Sequence, residues 1–415
     1  MHGTTDRATR ALSRRTFLQR VGLGGAATLL AACQPPASAA RPPSSRAEPA
    51  APSAEPAQPA APAASPSSAP ADWERAWQAL VDAAREEGRV VVAGPPTPET
   101  RTELAAAFRN RFGVEVEYFA PGSTSVLVTR LIAERAAGQY TVDVILGGAA
   151  GLYTHAYPDK MLAPLAPTLI HPEATDPTRW VGGRVWYMDP DQEYILRLSQ
   201  QLTGEVAVNT QYVQAEDIRS WRDLLDPRYR GKIATGDPGV PGAGSNTAAY
   251  LLRMLGEDYV RGLYVGQQPG VSREARQLSD WLARGSYPIA LDVGAREIEP
   301  LRADGFPIAV VLRDDPEVPP PLAVGFGLGA LLDPAPHPSA ARLFINWIAM
   351  QEGQEVWNRT QASVSVRTDV SNAWAPDYTV PRPGVDYFDS VSWDWTFESR
   401  SPAQLEKLKA LTGRT

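Results

Sequence analysis

The hydrophobic positions after Asp72 follow two alternating periods. Short apolar or alternating runs, typical of strands, are separated by stretches in which apolar residues recur three or four positions apart, as on one face of a helix. The predicted strands are 89–93, 114–118 and 141–146, and the predicted helices are 73–87, one ending at Phe112, and 125–137. Strands that alternate with helices predict a parallel α/β sheet with right-handed crossovers.

A second series of the same kind begins after residue 230. Its predicted strands are 232–235, 288–291 and 307–312, and its predicted helices are 246–255 and 272–283. Two α/β series in one chain predict two lobes with a cleft between them.

Several segments lie outside these two series. The Gly-Gly pair within 180–186 predicts a tight hairpin, and strands are predicted at 193–199 and 205–209. The run 326–332 is apolar, and Ser339 is the predicted N-cap of an amphipathic helix that carries Phe344 and Trp347. From Thr368 onward, the C-terminal extension is rich in Trp, Tyr, Asp and Pro, and an extended wrap ending in a helix near 402–411 is expected.

Ligands of parallel α/β sheets bind beyond the carboxyl ends of the strands, near helix N-termini. In the first series, the candidate contacts on three such loops are Pro95, Thr97, Ser123, Thr124, Gly148 and Ala149. In the second series, Ser245 and Asn246 open a helix whose free backbone N–H groups can meet an anion. Donors on both sides of a cleft favour an anionic or oxygen-rich ligand, but each of these residues can equally be an N-cap of its own helix.

Three further candidates carry two interpretations each. Asp292 follows the strand 288–291. Its carboxylate either faces the ligand, where it would select an amine or a metal, or caps the helix that starts near Ala295, and the cap is the favoured interpretation. Trp186 and Tyr187 either stack on an organic ligand or belong to the core, which is the commoner place for such aromatic residues. The histidines at 155, 171 and 337 share no ligand spacing, so structural roles and no metal site are predicted.

Residues 13–33, SRRTFLQRVGLGGAATLLAAC, contain the only cysteine of the chain. The apolar run before Cys33 is far shorter than the roughly 20 residues that a membrane-spanning helix needs. Arg14 and Arg15 stand in a stretch that resembles a twin-arginine export signal, and Leu30-Ala-Ala-Cys33 resembles a lipobox, whose cysteine is lipidated. The resemblance implies a signal peptide at 1–33 and a lipid anchor on Cys33, outside the cytoplasm.

Residues 34–71 are almost wholly Pro, Ala and Ser and have no apolar period, so a disordered tether is predicted. The 415-residue chain has a net charge of −7 with no basic block, which argues against a nucleic-acid surface. A single cysteine excludes an intramolecular disulfide and a thiolate metal cluster.

Three stretches together resemble the extracellular solute-binding proteins of ABC importers, in the type 2 group that includes the ferric-ion binders. They are WRDLLDPRYRGKIATGDP at 221–238, GAGSN at 242–246, and APHPSAARLFINW at 335–347 followed by QEGQ at 351–354. With the strand and helix order of 89–146, the resemblance extends from Asp72 to about Asp369. Its specificity comes from the order and spacing of the stretches.

The resemblance implies a two-lobed fold whose chain crosses between the lobes twice, near 206–210 and 322–329. Lobe one is then expected at 72–209 and 322–415, including the extension, and lobe two at 210–321. It also implies a monomer without catalysis or cofactor, which closes on a small solute and docks on a membrane permease.

Ferric binders of this group bind iron through adjacent tyrosines just after a strand of the second lobe. The corresponding stretch here, LDVGAR at 291–296, has no tyrosine. An organic acid or a phosphorylated small molecule is therefore expected, with iron as the alternative.

Two other classes of protein stay open. A secreted enzyme is disfavoured because the chain has no G-x-S-x-G elbow, no H-E-x-x-H and no free catalytic thiol; a perturbed carboxylate pair in the cleft would favour it again. A structural surface lipoprotein with a degenerate cleft predicts no stabilisation by any ligand.

Overall fold

The computed structural model describes residues 72–414. The predicted export signal, lipidation residue and tether lie outside these described residues. The strands are β1 (Arg89–Ala93), β2 (Glu115–Phe119), β3 (Val144–Gly147), β4 (Leu162–Ala163), β5 (Leu196–Arg197), β6 (Ser199–Leu202), β7 (Val206–Asn209), β8 (Ile233–Gly236), β9 (Gly270–Ser272), β10 (Ile289–Leu291), β11 (Ile308–Val311), β12 (Leu322–Ala323), β13 (Leu328–Leu332) and β14 (Val364–Ser365).

The helices follow the expected spacing of apolar positions. They are α1 (Asp72–Glu87), α2 (Pro98–Phe112), α3 (Thr124–Ala136), α4 (Ala149–Gly151), α5 (Pro172–Thr175), α6 (Ala243–Arg261), α7 (Ala275–Arg284), α8 (Ala295–Ala303), α9 (Pro338–Ala349), α10 (Gln351–Thr360), α11 (Trp393–Ser399) and α12 (Pro402–Thr412). Each predicted helix and strand of the two α/β series is present, with ends that differ by a few residues. The predicted terminal helix is confirmed as α12.

The strands form two main sheets, each with its own hydrophobic cores. The first has the order β2-β1-β3-β13-β4, with β5 beside β13, and the second has the order β11-β7-β10-β8-β9. In the first sheet β1 is parallel to β2 and β3, as predicted. The cores around Phe108 and Leu127 belong to the first sheet, and those around Tyr250 and Leu278 belong to the second. The chain is therefore an α/β protein with two lobes.

The chain passes between the lobes through a small third sheet, β12-β6-β14, in which β6 belongs to the outgoing passage and β12 to the returning one. Leu322 pairs with Leu202 and Ala323 with Gln201, so the outgoing and returning chains lie side by side. We call this sheet and its flanks, 199–205 and 319–327, the hinge. Because β7 already pairs with β10 and β11 of lobe two, the outgoing passage ends before Val206, earlier than the expected 206–210.

Two local predictions are wrong, both because distant segments supply the partners. Gly182 and Gly183 turn the chain with φ of 74° and 68°, but Trp180 bridges to Arg367 and Tyr187 to Leu196, so no hairpin forms. Helix α9 begins at Pro338 with His337 as its N-cap, which places Ser339 inside the helix.

The N-terminus of α9 receives its cap from another helix. The Glu87 carboxylate at the end of α1 accepts from the N–H groups of Ser339 at 3.0 Å and Ala340 at 2.8 Å. A carboxylate there satisfies two free donors and complements the helix dipole.

The C-terminal extension contacts both lobes in turn. In lobe one, the Asp369 carboxylate accepts from Arg179 Nη1 at 3.2 Å, and the Asp369 carbonyl accepts from Gln351 Nε2 at 2.7 Å. Tyr378 is buried in lobe two and donates to Glu299 Oε1 at 2.8 Å. The extension therefore does not belong to lobe one alone, as the expected boundaries had it.

Asp143 joins three elements at the centre of lobe one. Its fully buried carboxylate accepts from the N–H groups of Val91 in β1 and His337 before α9, both at 2.7 Å. His337 Nδ1 lies 2.8 Å from Asp143 Oδ2, in agreement with the structural role predicted for this histidine.

Replacing Asp143 with Ala leaves both backbone donors buried without an acceptor. We expect D143A to lower the free energy of unfolding by about 3 kcal/mol, measured by urea denaturation. The control is D159A, which removes an exposed carboxylate and should change stability by less than about 0.5 kcal/mol. Equal effects of the two substitutions would contradict the role given to Asp143.

Candidate functional site

The strand ends of lobe two meet at one edge of its sheet. β8 and β10 are parallel, so Gly236 and Asp292 stand at neighbouring carboxyl ends. β7 runs antiparallel to β10 with Val206 opposite Leu291, so Glu205 lies beside Asp292 at the same edge. This register brings together two acidic residues that are far apart in the sequence.

The N-terminus of α6 comes unusually close to this edge. A Cβ on Gly244 would lie 2.3 Å from the carbonyl carbon of Gly236, and a Cβ on Gly236 would lie 2.8 Å from Gly244 Cα. Both positions therefore need glycine, which lets the first turn of α6 pack directly on β8.

Asp292 is held in place by three donors from these elements. Its carboxylate accepts from Thr235 Oγ1 and Gly236 N, each at 2.8 Å, and from Thr247 Oγ1 of α6. Helix α8 has Gly294 as its N-cap instead, where Glu297 accepts from the Gly294 N–H. The favoured interpretation of Asp292 as the cap of that helix is wrong, and the residue locks α6 to the sheet.

A cavity of about 310 Å³ opens above this edge. Lobe two, the hinge and the C-terminal extension each supply part of its wall. The lining residues are Thr203, Gly204, Glu205, Trp221, Ala243, Asn246, Thr247, Tyr250, Asp292, Val293, Gly294, Leu312, Val318, Pro319, Pro320, Pro321, Ala323, Ser390, Val391, Trp395, Ser399 and Arg400. Its volume is in the range of small-molecule binding sites.

The wall combines aromatic surfaces with few charges. Trp221, Tyr250 and Trp395 are almost fully buried beside the cavity. The Tyr250 hydroxyl donates to the Pro319 carbonyl at 2.6 Å, which ties α6 to the hinge. Arg400 is the one cation among the lining residues of this cavity, and Glu205 and Asp292 are its acids.

Glu205 has a strongly perturbed carboxyl group. Burial, the largest cause, and the nearby carboxylates of Glu297 and Asp292 raise its pKa to about 7, although backbone N–H groups lower it. Glu205 of the folded protein therefore keeps its proton up to a pH near 7, where an ordinary glutamate is already ionised.

The predicted contacts of lobe one lie elsewhere. Ser123 and Thr124 line a recess of only about 10 Å³, together with Gly94 and Phe326. Ser123 Oγ accepts from Val126 N at 3.2 Å as the N-cap of α3, and Thr124 Oγ1 accepts from Gly148 N at 2.9 Å. These hydroxyls thus hold the loops of lobe one together.

The remaining candidates divide between two places. Ser245 Oγ bonds to both the N–H and the carbonyl of Gly242, which leaves Asn246 as the predicted α6 side chain that lines the cavity. Trp186 and Tyr187 line a separate cavity of about 320 Å³ beside Trp393. Pro95, Thr97, Gly148 and Ala149 line neither cavity nor the recess.

The lobe-two edge, the recess of lobe one and the intervening hinge give the arrangement of a two-lobed binding protein. The family model for bacterial extracellular solute-binding proteins matches residues 89–360. The chain belongs to this family. The two-lobed periplasmic-binding-protein fold predicted from the sequence is thereby confirmed, and the family places the solute-binding protein outside the cytoplasm. Within residues 72–414, no helix has the length and apolar character needed to cross a membrane.

Known proteins similar to this solute-binding protein share its fold at low sequence identity. An uncharacterised protein of Haemophilus influenzae is 24% identical over 314 residues, covering 72% of this chain and 83% of its own. Iron-bound HitA of Pseudomonas aeruginosa is 18% identical with a TM-score of 0.54, covering 78% of this chain and 98% of its own.

Two further solved structures extend the comparison. The Trichodesmium protein IdiA (FutA), in complex with iron and citrate, has a TM-score of 0.58 at 17% identity and covers 79% of this chain and all of its own. AfuA of Actinobacillus pleuropneumoniae, with fructose 6-phosphate bound, has a TM-score of 0.54 at 19% identity and the same coverage.

Sequence patterns alone missed much of the cavity wall. Glu205 precedes a strand instead of following one, so the rule that ligands lie at carboxyl ends passed over it. Trp395 and Arg400 come from the C-terminal extension, for which no packing partner was predicted. The three consecutive prolines at 319–321 indicated a backbone of restricted conformation, and they form one side of the cavity.

The raised pKa of Glu205 predicts a specific pH dependence of stability. Between its ordinary value of 4.5 and about 7, the folded chain holds a proton that the unfolded chain releases, so stability falls as pH rises through this window. We expect E205Q to be more stable than the parent by about 2–3 kcal/mol at pH 8 and equal to it at pH 4, by urea denaturation. E216Q, at an exposed glutamate, is the control; a parallel profile for E205Q and the parent would contradict the assignment.

Proposed function

We propose that this protein is the substrate-binding lipoprotein of an ABC importer, and that it captures a small polar or anionic solute and delivers it to a membrane permease. The observation that carries the proposal is the cavity of about 310 Å³ at the strand edge of lobe two, bordered by the hinge. A solute that contacts both the hinge and a lobe can favour the closed form, which a permease can recognise.

Membership of the solute-binding family supports capture and delivery as the activity, without catalysis or cofactor. The known structures with this fold include one with iron, one with iron and citrate and one with a sugar phosphate. An oxygen-rich or anionic solute for this chain is consistent with that range. We propose that the solute is an organic acid or a phosphorylated small molecule and that the protein binds it as a monomer.

Ferric iron is the less favoured ligand. The strand end at 291–296 carries no tyrosine, and the hydroxyl of Tyr250, the one tyrosine of the cavity wall, is engaged by Pro319. Among residues 72–414, no cluster of three or more His, Cys, Asp or Glu side chains could hold a metal ion. We therefore propose that iron, as the alternative ligand, enters as a complex that brings its own ligands.

The pair of Glu205 and Asp292 is the feature that favours an enzyme. Glu205 has a pKa of about 7 and a second carboxyl group lies beside it, and some hydrolases use such a pair as acid and nucleophile. Against this, Asp292 already accepts three hydrogen bonds from the sheet and α6, which a nucleophile would have to lose. We therefore assign the pair to structure and to solute recognition.

Export and anchoring are proposed from the N-terminal sequence. A twin-arginine signal with Arg14 and Arg15 would carry the folded chain across the membrane, and a lipid on Cys33 would hold it at the outer face. The Pro/Ala/Ser-rich tether would then let the body reach a permease in the same membrane.

A ligand screen tests the proposed capture of a solute. We expect at least one organic acid, phosphorylated sugar, amine or ferric complex to raise the melting temperature of the full-length chain, because binding adds RT ln(1 + [L]/Kd), about 2.7 kcal/mol at one hundred times Kd. The bound compound should be recovered chemically unchanged. Turnover of the compound would favour the enzyme, and a panel without any effect would favour a structural lipoprotein with a degenerate cleft.

Substitution of both Arg14 and Arg15 by Lys tests the export signal. The double variant should accumulate in the cytoplasmic fraction, whereas the matched change of Arg7 and Arg10 to Lys should leave export intact. Cell fractionation followed by immunoblotting measures both. Normal export of the Arg14/Arg15 variant would refute the twin-arginine interpretation.

A further inference from the structure

The C-terminal extension supplies part of the cavity wall although it lies outside the part of the chain that matches the family. The match ends at residue 360, whereas Ser390, Val391, Trp395, Ser399 and Arg400 all line the cavity. Trp395 and, from α12, Leu408 and Leu411 are buried in the core around Tyr250, so this part of the extension is fixed to lobe two.

The position of Arg400 is set by this packing. It is the C-cap of α11, directly after the buried Ser399 and five residues after Trp395. Phe388 packs edge-on against Trp395 at 5.1 Å and also on Tyr250 at 5.1 Å, which holds the start of α11 against α6. The guanidinium therefore comes from a well-anchored segment.

Arg400 is chemically available. It makes no ion pair and no side-chain hydrogen bond within the part of the chain that the structure describes, and it is exposed at the cavity wall. Other arginines of the extension and its neighbourhood are paired: Arg382 with Asp314 and Arg313 with Asp377. The side-chain amide of Asn246, in the first turn of α6, lines the same cavity and likewise has no hydrogen-bond partner among the described residues.

Neither acid that lines the cavity forms an ion pair with Arg400 in the part of the chain that the structure describes. Asp292 is satisfied by its three donors from β8 and α6. Glu205 stands at the start of β7 with Glu297 and Asp292 as its charged neighbours. A cation without a counter-ion, an amide and a helix N-terminus that line one cavity together favour a negatively charged group.

We propose that Arg400 is a ligand-binding residue, and that with Asn246 it receives the phosphoryl or carboxylate group of a small organic anion in this cavity. The proposal rests on the proposed function and narrows it: the solute is anionic, and its charge is recognised by a residue that the C-terminal extension contributes. The remainder of the solute then lies against Trp221 and Trp395, whose aromatic rings line the same cavity.

The test compares charged and uncharged probes on the full-length chain. Fructose 6-phosphate, citrate and inorganic phosphate are titrated by calorimetry and thermal shift, with fructose as the uncharged counterpart of its phosphate. We expect at least one anion to bind the parent, and R400Q to weaken its binding by about tenfold to a hundredfold, as for loss of a charge-assisted hydrogen bond. R400K should retain part of the affinity, and N246A should lose less than R400Q.

The control is R276Q, which removes the same charge from an exposed position on α7 outside the cavity. It should bind as the parent does, which separates local recognition from a change in net charge. Without ligand, R400Q and R276Q should melt at the same temperature as the parent. This result would show that Arg400 does not act merely by stabilising the end of α11.

Each outcome separates this inference from the function on which it rests. An anion that binds the parent and R400Q equally overturns the role of Arg400 and leaves the receptor function in place. Binding of fructose or another uncharged solute alone overturns the anionic class but also leaves the receptor function. Absence of binding by all probes overturns the anion site, and the wider ligand screen then decides the receptor function independently.

Discussion

The pairing of β13 with β3 organises the whole molecule. Leu331 of β13 pairs with Val144 and Leu328 with Gly147, so a strand from beyond residue 327 completes a sheet that starts at residue 89. All of lobe two lies between these partners in the chain. The first sheet of lobe one therefore needs a strand that follows lobe two in the sequence. The outgoing and returning chains run side by side in the hinge, where β6 and β12 pair. The cavity lies directly against this crossing.

The C-terminal extension adds a second constraint on the two lobes. On α11, Trp393 packs on Tyr153 and Tyr157 of lobe one at 4.8 and 5.1 Å, while Trp395, two residues further, is buried in lobe two. Buried Arg197 of β5 also pairs with Asp389 of the extension at 2.7 Å. One short helix thus contacts both lobes beside the cavity, so a change in the angle between them has to repack these aromatic side chains or carry α11 with one lobe.

The two acidic residues of the cavity illustrate how position on one sheet edge determines chemistry. Asp292 and Glu205 are neighbours across β10 and β7, but Asp292 receives three donors and Glu205 is mainly desolvated. Hydrogen-bond donors stabilise an ionised carboxyl group and burial destabilises it, and burial is the main cause of the raised pKa of Glu205. The raised pKa reduces the negative charge of Glu205 near neutral pH, which suits an anion in the cavity.

The sequence by itself determined the elements and the family. Periodicity located the strands and helices of both lobes because those patterns record which face of each element is buried, and the stretches around 221–246 and 335–354 indicated the solute-binding fold. Of the residues that line the cavity, it offered Asn246 and Asp292 as candidate contacts. Only the tertiary structure decided that Glu87 caps α9, that Asp292 accepts from β8 and α6, and that Glu205 and Arg400 line one cavity. These contacts join segments that are far apart in the chain, and the spacing of residues within one segment does not identify its distant partners.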